Sequence, residues 1–251
     1  MLIAAAGAPM PHYFFSDVHL GYGDRSADRQ REDRLLSFLR SIESDAESLF
    51  IVGDLFDFWF DYKTVIPRGH VRTLAMLASF VERGCPVHYS IGNHDFGHLD
   101  YFTSELGVTM HPDDYEITLG GKRFLISHGD GKALNDTGYR ILKKILRNPF
   151  LQWAYRLIHP NAGIGLASWS SRNSRAYTDK KDYGTEDGLA LFAKETLRNG
   201  YDVVVMGHRH DPQVITEGAG LYVNLGDWLF HNSYGVFDGT RMELKVYGGK
   251  A

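Results

Sequence analysis

The feature that most limits the fold is a repeated pairing of short apolar runs with donor side chains. Runs at 12–16, 49–52, 87–91, 124–127 and 203–206 are short, aromatic or β-branched, and read as strands. Each is followed, mostly after Gly or Ser, by oxygen or imidazole donors: Asp17-Val18-His19, Asp54, Asn93-His94-Asp95, His128 and His208-Arg209-His210. Between the runs, apolar residues recur at helical spacing, as in Leu35, Leu39 and Ile42, in Leu74, Leu77 and Val81, and in Leu189, Phe192, Ala193 and Leu197. This alternation predicts an α/β fold with helices covering a sheet. Sites in such folds form beyond the carboxyl ends of strands, so donors scattered through the sequence are expected at one rim. Two residues apart on extended backbone project to one side, which makes each Asp-x-His or His-x-His pair act together. Further strands are expected at 116–119 and 221–225. Segments 236–237 and 242–247 flank Asp238-Gly239 as a hairpin.

A chain of 251 residues, 43% apolar, can bury a large core without covalent staples. Its one cysteine, Cys85, forms no internal disulfide, which suits a reducing compartment, and the cytoplasm is the expected location. The opening stretch lacks the basic segment of a secretory signal, and Met10 is an alternative start. A single domain is expected over 10–251, with an insertion at 134–182. There the strand rhythm stops and two helical patterns flank Asn148-Pro149. Ile141, Leu142, Ile145 and Leu146 form an apolar stripe with Arg140, Lys143, Lys144 and Arg147 interleaved. Leu151, Trp153, Leu157 and Ile158 follow. Ten Lys and Arg face two Asp between Lys132 and Lys181, against a net charge of −4 for the chain. That balance argues against bulk nucleic-acid binding, and a basic amphipathic helix pair suits an anionic bilayer face.

Asp17, His19, Asp54, Asn93, His128, His208 and His210 mix carboxylate, amide and imidazole without thiolate. Such a set favours Mn²⁺, Fe or Zn²⁺ in a catalytic site over a structural cysteine-type zinc site. Seven donors exceed one tetrahedral ion and suit two ions sharing a bridging carboxylate, for which Asp54 is chosen. The other histidines (12, 70, 88, 98, 111, 159 and 231) read as surface or core residues. Asp57 reads as a group behind a ligand. Asp227 and Trp228 either shape a strand end or belong to the site.

Taken in order, Asp17-Val18-His19, Gly53-Asp54-Leu55-Phe56-Asp57, Gly92-Asn93-His94-Asp95, His128 and Gly207-His208-Arg209-His210 resemble the calcineurin-like metallophosphoesterase superfamily over about Tyr13 to His210. The resemblance implies a four-layer α/β/β/α fold and two divalent cations, with Mn²⁺ expected. It implies one ion on Asp17, His19, Asp54 and His210, and the other on Asp54, Asn93, His128 and His208. Water activated between the ions would attack phosphorus in line with the leaving group. His94, oriented by Asp95, would act as acid or hydrogen-bond donor at the leaving oxygen.

A narrower resemblance, in SDVHLG, GDLFDFWF and SHGDG followed by the insertion, is to the UDP-2,3-diacylglucosamine pyrophosphohydrolase family of lipid A synthesis. It implies a UDP-linked lipid cleaved to UMP and 2,3-diacylglucosamine 1-phosphate, with 134–182 as a helical lid. It further implies peripheral contact with the cytoplasmic face of the inner membrane. Arg175 and Lys181 are candidates for the diphosphate, and Asp136, Tyr139, Asn173 and Ser174 for the sugar and acyl linkages. Asn93 and His208 are also expected to touch substrate. Many members of that family read G-N-R-D where this chain has the superfamily's G-N-H-D around His94. No nucleic acid and no obligate protein partner are expected. The rival readings are a phosphodiesterase or phosphatase for soluble nucleotides, and a non-catalytic scaffold, which would be expected to have lost ligands; none is missing here.

Overall fold

Alternation along each strand sorts the apolar side chains onto opposite faces and so dictates the layers. The computed structural model describes residues 10–132, 137–165 and 188–248. One sheet contains β1 (His12–Phe15), β2 (Ser48–Val52), β3 (Val87–Ser90), β4 (Thr109–His111), β10 (Ser233–Phe237) and β11 (Met242–Val246), in the order β11-β10-β1-β2-β3-β4. The other contains β5 (Tyr115–Leu119), β6 (Lys122–Ile126), β7 (Val203–Met206), β8 (Gln213–Glu217) and β9 (Gly220–Asn224), in the order β5-β6-β7-β9-β8. Strands β1 to β4 run parallel, as do β6, β7 and β9.

Phe14, Phe50, Val52, Phe124, Ile126, Val205 and Val223 fill the space between the sheets. The Phe14 and Phe50 rings stack with centroids 4.6 Å apart. Tyr13, Phe15, Leu49 and Ile51 point the other way, against α1 (Arg25–Ile42) and α2 (Val71–Glu82) through Leu35, Leu39, Leu74 and Leu77. On the far side, Leu125, Val204, Met206 and Tyr222 pack on Leu189, Ala193 and Leu197 of a helix at Gly188–Arg198. The layers are therefore α/β/β/α, as expected. Each buried aromatic or aliphatic side chain stabilises this stack by roughly 1.5–3 kcal/mol.

Local signals set the boundaries. The Asp24 carboxylate accepts from the Ser26 and Ala27 amides and starts α1. Asp238 accepts from the Thr240 and Arg241 amides and turns the β10–β11 hairpin. Two strands were not expected. β4 is only three residues long, and β8 is an edge strand with Val214 half exposed.

After α3 (Tyr101–Ser104), the described part of the insertion forms α4 (Thr137–Leu146) and α5 (Pro149–Tyr155). Asn148 ends the first helix and caps the second, accepting from the Phe150 and Leu151 amides with Pro149 in the first turn. The pair is turned inside out. Ile141 is 57% exposed, Trp153 55% and Leu157 69%, while basic residues reach inward. Arg147 donates to the Ile91 and Gly92 carbonyls, Arg156 to the Asp61 carbonyl, and Lys143 pairs with Asp130. Of the four basic residues interleaved with the apolar stripe, Lys143 and Arg147 thus face the protein, because backbone carbonyls and a buried carboxylate hold the cations. Among the described residues, no helix is long and apolar enough to cross a membrane.

Candidate metal centre

Strands β1, β2 and β3 of one sheet and β6, β7 and β9 of the other release their chains at a common rim. Backbone hydrogen bonds continue beyond the strands and lace the loops together. The Asp17 amide donates to the Gly53 carbonyl, His19 to Asp54, Gly207 to His128, and Trp228 to Asp17 across the two sheets. Within these loops Asp17, His19, Asp54, His208 and His210 all have φ between 51° and 70°. Such conformations cost about 1–3 kcal/mol each outside glycine and persist where the surroundings over-determine them. Asp and His tolerate them better than most residues, so donor chemistry and backbone demand coincide here. Close approach explains two of the preceding glycines. A Cβ on Gly92 would lie 2.0 Å from Asp54 Oδ1, and one on Gly207 would lie 2.3 Å from Asp17 Oδ2.

The side chains meet in overlapping trios: Asp17, His19 and His210; His19, Asp54 and His94; Asp17, Asp54 and His128. In each, one donor atom per residue lies within 4.8 Å of the others. His19 Nε2 is 3.1 Å from His210 Nε2, and His210 Nε2 is 3.2 Å from Asp17 Oδ1. His128 Nδ1 donates to the Val52 carbonyl, which leaves Nε2 facing Asn93 Oδ1 at 3.0 Å and Asp54 Oδ2 at 3.3 Å. Atoms that carry lone pairs are thus brought nose to nose.

That arrangement fits cations. Asp17 Oδ1 is buried without a hydrogen bond, a costly state for a carboxylate oxygen unless positive charge is supplied. The electrostatics agree. Burial alone would lower the His128 imidazole, but the Asp54 charge and hydrogen bond push it up to about 10. Burial alone would raise Asp54, yet the His128, His94 and His19 imidazoles hold it well below the usual carboxylate range.

Of the residues singled out from sequence, Asp17, His19, Asp54, Asn93, His128 and His210 come together as described. The His208 ring packs edge-on to His128 with centroids 5.1 Å apart, and its amide donates to Asp17 Oδ2 at 2.9 Å. His94 lies at the rim, its Nδ1 3.2 Å from the Asp57 carbonyl oxygen. Asp57 Oδ1 lies 3.6 Å from His19 Nδ1 and 3.7 Å from His94 Nδ1, so this carboxylate backs both rings. Asp95 is a correction: its carboxylate does not orient His94. It is fully buried, accepts from the Gly92 amide and the Tyr89 hydroxyl, and is raised to about 6 by burial and by the nearby Asp54 charge. Asp136, Asn173, Ser174, Arg175, Lys181 and the Tyr139 side chain lie outside the described residues.

Two residues were left undecided by sequence; of these, Trp228 is buried against Phe15 and Phe38. Asp227 is fully buried, accepts from the Phe230 and His231 amides through Oδ1, and places Oδ2 3.7 Å from His210 Nδ1. It therefore stands behind His210 as Asp57 stands behind His19. The signal was present: Val223-Asn224-Leu225-Gly226-Asp227 repeats the run-Gly-Asp pattern of Ile51-Val52-Gly53-Asp54.

Comparison with known proteins finds similarity over most of the chain. Residues 10–212 match the model of the family described as calcineurin-like phosphoesterase. A UDP-2,3-diacylglucosamine hydrolase of Porphyromonas gingivalis is 35% identical, over 93% of this chain and 96% of its own. A protein of the same name from Neisseria meningitidis serogroup B is 31% identical, over 89% of this chain and 91% of its own. The solved structure of TT1561 from Thermus thermophilus aligns with a TM-score of 0.49 at 12% identity, over 95% of this chain and 99% of its own. Matched by that family model over most of its length, the chain belongs to the calcineurin-like phosphoesterase family.

Proposed function

We propose that this chain hydrolyses the diphosphate of UDP-2,3-diacylglucosamine to UMP and 2,3-diacylglucosamine 1-phosphate, with Mn²⁺ as its cation, at the cytoplasmic face of the inner membrane. Family membership makes it a metal-dependent phosphoester hydrolase. The relatives named for that substrate, similar over most of their length, support the substrate class. The observation that carries the lipid part is the outward apolar face of α4 and α5, a helix pair that Arg147 and Gln152 seat against residues 91–97 beside the donors. An apolar stripe left exposed on a pair of short helices fits acyl chains or a bilayer surface better than water.

Bound among these donors, a pair of divalent cations supplies charge for the phosphoryl oxygens and acidity for the attacking water. Asp17, His19 and His210 are assigned to one ion and Asn93, His128 and His208 to the other. Asp54 would serve both, with its Oδ2 3.3 Å from His128 Nε2 and 3.9 Å from His19 Nε2. Asp57 and Asp227 fix the rings of His19 and His210 from behind. With Nδ1 of His94 donating to the Asp57 carbonyl, Nε2 is the nitrogen that serves the leaving phosphate oxygen. Arg175 and Lys181 are assigned to the diphosphate, and Asp136, Tyr139, Asn173 and Ser174 to the sugar and its acyl linkages.

The test is hydrolysis of UDP-2,3-diacylglucosamine in mixed micelles with Mn²⁺ in ¹⁸O water. The reading expects UMP carrying the label, from attack at the α-phosphorus. Label in the lipid phosphate would reverse the point of attack. Turnover of soluble nucleotide diesters without lipid turnover would overturn the lipid assignment.

A further inference from the structure

The inward face of α4 reaches the donor loops directly. The Arg147 guanidinium donates through Nη2 to the Ile91 carbonyl at 3.1 Å and the Gly92 carbonyl at 3.3 Å. Its Nη1 donates to the Pro112 carbonyl, and Nη2 stands 4.0 Å from Asp130 Oδ2. Lys143, one turn earlier, places Nζ 2.8 Å from the same Asp130 oxygen and donates to the Asp130 backbone carbonyl at 3.3 Å. Ile91 and Gly92 begin the loop after β3, which carries Asn93 and His94. Asp130 lies two residues past His128 in the loop after β6. The two loops leave different sheets, and one helix face holds both.

The hold falls on a critical peptide. The Gly92 amide donates to Asp95 Oδ1 at 2.9 Å while its carbonyl is taken by Arg147. One residue on, the His94 amide donates to Asp54 Oδ1 at 2.9 Å. Asn93, whose Oδ1 faces His128 Nε2, is thus fixed on both sides of its Cα. Asp130 and the Arg147 side chain are 2% and 20% exposed, so the pairing is largely shielded from water and salt.

We propose that Arg147, braced by the Lys143–Asp130 pair, is a positioning residue for phosphoester hydrolysis: it sets Asn93 against His128 and ties the seating of α4 to the assembly of the metal centre. The inference rests on the donor assignment above and is independent of the lipid substrate. A planar guanidinium suits the task, because it spans two carbonyls and a carboxylate at once where an ammonium cannot.

The test uses the full chain with Arg147→Gln, Arg147→Lys and, as control, Lys144→Gln, which is exposed on the same helix. Mn²⁺ is titrated into the metal-free protein and followed by the electron paramagnetic resonance of free Mn²⁺. Turnover is read on bis(p-nitrophenyl) phosphate, a soluble diester with no acyl chains. Arg147→Gln is expected to weaken one of two Mn²⁺ sites by roughly 10–100-fold. Its kcat on the diester should fall by a similar factor at saturating metal, with KM within about twofold of wild type. Arg147→Lys should recover part of both, and Lys144→Gln should match wild type. Wild-type Mn²⁺ binding and diester turnover in Arg147→Gln would overturn the proposal. Should that variant fail to fold by circular dichroism, unchanged Mn²⁺ binding in Arg147→Lys would overturn it equally. If the wild type hydrolyses no diester, the activity reading fails, while the Mn²⁺ titration still decides the role of Arg147.

Discussion

The strand-end donors and the α4–α5 pair depart from the usual sorting of side chains in opposite directions. At the strand ends Asp17, His19, Asp54 and His128 are buried. On the helix pair Ile141, Leu151 and Trp153 are exposed. Burial of the first group is sustained by loops that interlock and by donors that face one another, an arrangement that cations complete. Exposure of the second is sustained by Lys143, Arg147 and Arg156, whose inward bonds pin the helices with their apolar face outward. One region gathers polar donors in its interior and the other leaves apolar side chains exposed. Their junction runs through Asp130 and the Gly92 carbonyl.

The contrast can be broken from either side. The largest effect is expected for Asp54→Ala, which removes a carboxylate 3.9 Å from His19 Nε2 and 3.3 Å from His128 Nε2. Turnover should fall on the order of 10³-fold on lipid and soluble diesters alike. Calorimetric titration should show Mn²⁺ binding lost with it; retained binding and turnover would dissolve the donor assignment. On the other side, Trp153→Asp should lower kcat/KM for micellar UDP-2,3-diacylglucosamine by roughly 10–100-fold, the worth of one buried apolar side chain. Bis(p-nitrophenyl) phosphate should be unaffected. Equal losses on both substrates would make α5 a structural element and erase the contrast.

Smaller effects sharpen it. Asp227→Asn retains an oxygen for the Phe230 and His231 amides but removes the charge behind His210, and should weaken Mn²⁺ binding by about tenfold with little change in Tm. Unchanged affinity would reduce Asp227 to a turn former. Just behind the site, His98 is packed on Trp59, Tyr89 and Phe102, with both ring nitrogens buried and unpartnered. Burial pushes it down to about 3. Unfolded His98 takes a proton near pH 6.5 and the folded residue does not, so the fold loses stability as pH falls below about 6.5. The loss is about 1.4 kcal/mol per pH unit. Urea unfolding at pH 7 and pH 5 should show that slope removed in His98→Phe; an identical slope would mean the ring is solvated.

Much of this was legible in the sequence because the physics is local. A strand ends where an apolar run meets Gly-Asp or Gly-His, and donor type, positive φ and strand-end position select the same residues, as at Asp54 and His208. Direction was not legible. Asp95 sits next to His94 in the chain, yet the loop turns its carboxylate into the core toward Tyr89. Lys143 and Arg147 share a helix with Ile141 and Ile145, and periodicity cannot say which stripe faces the protein when the partner surface offers buried carbonyls and Asp130. Asp227 followed the same pattern as Asp54, but its partner His210 comes from another strand end, so the chain alone did not pair them.

The central claim is that side chains from five strand ends hold two cations around Asp54. Anomalous diffraction from crystals grown with Mn²⁺ tests it most directly. Two peaks are expected, one among Asp17, His19 and His210 and one among Asn93, His128 and His208, with Asp54 in contact with both. A single peak, or manganese only elsewhere on the surface, would contradict it.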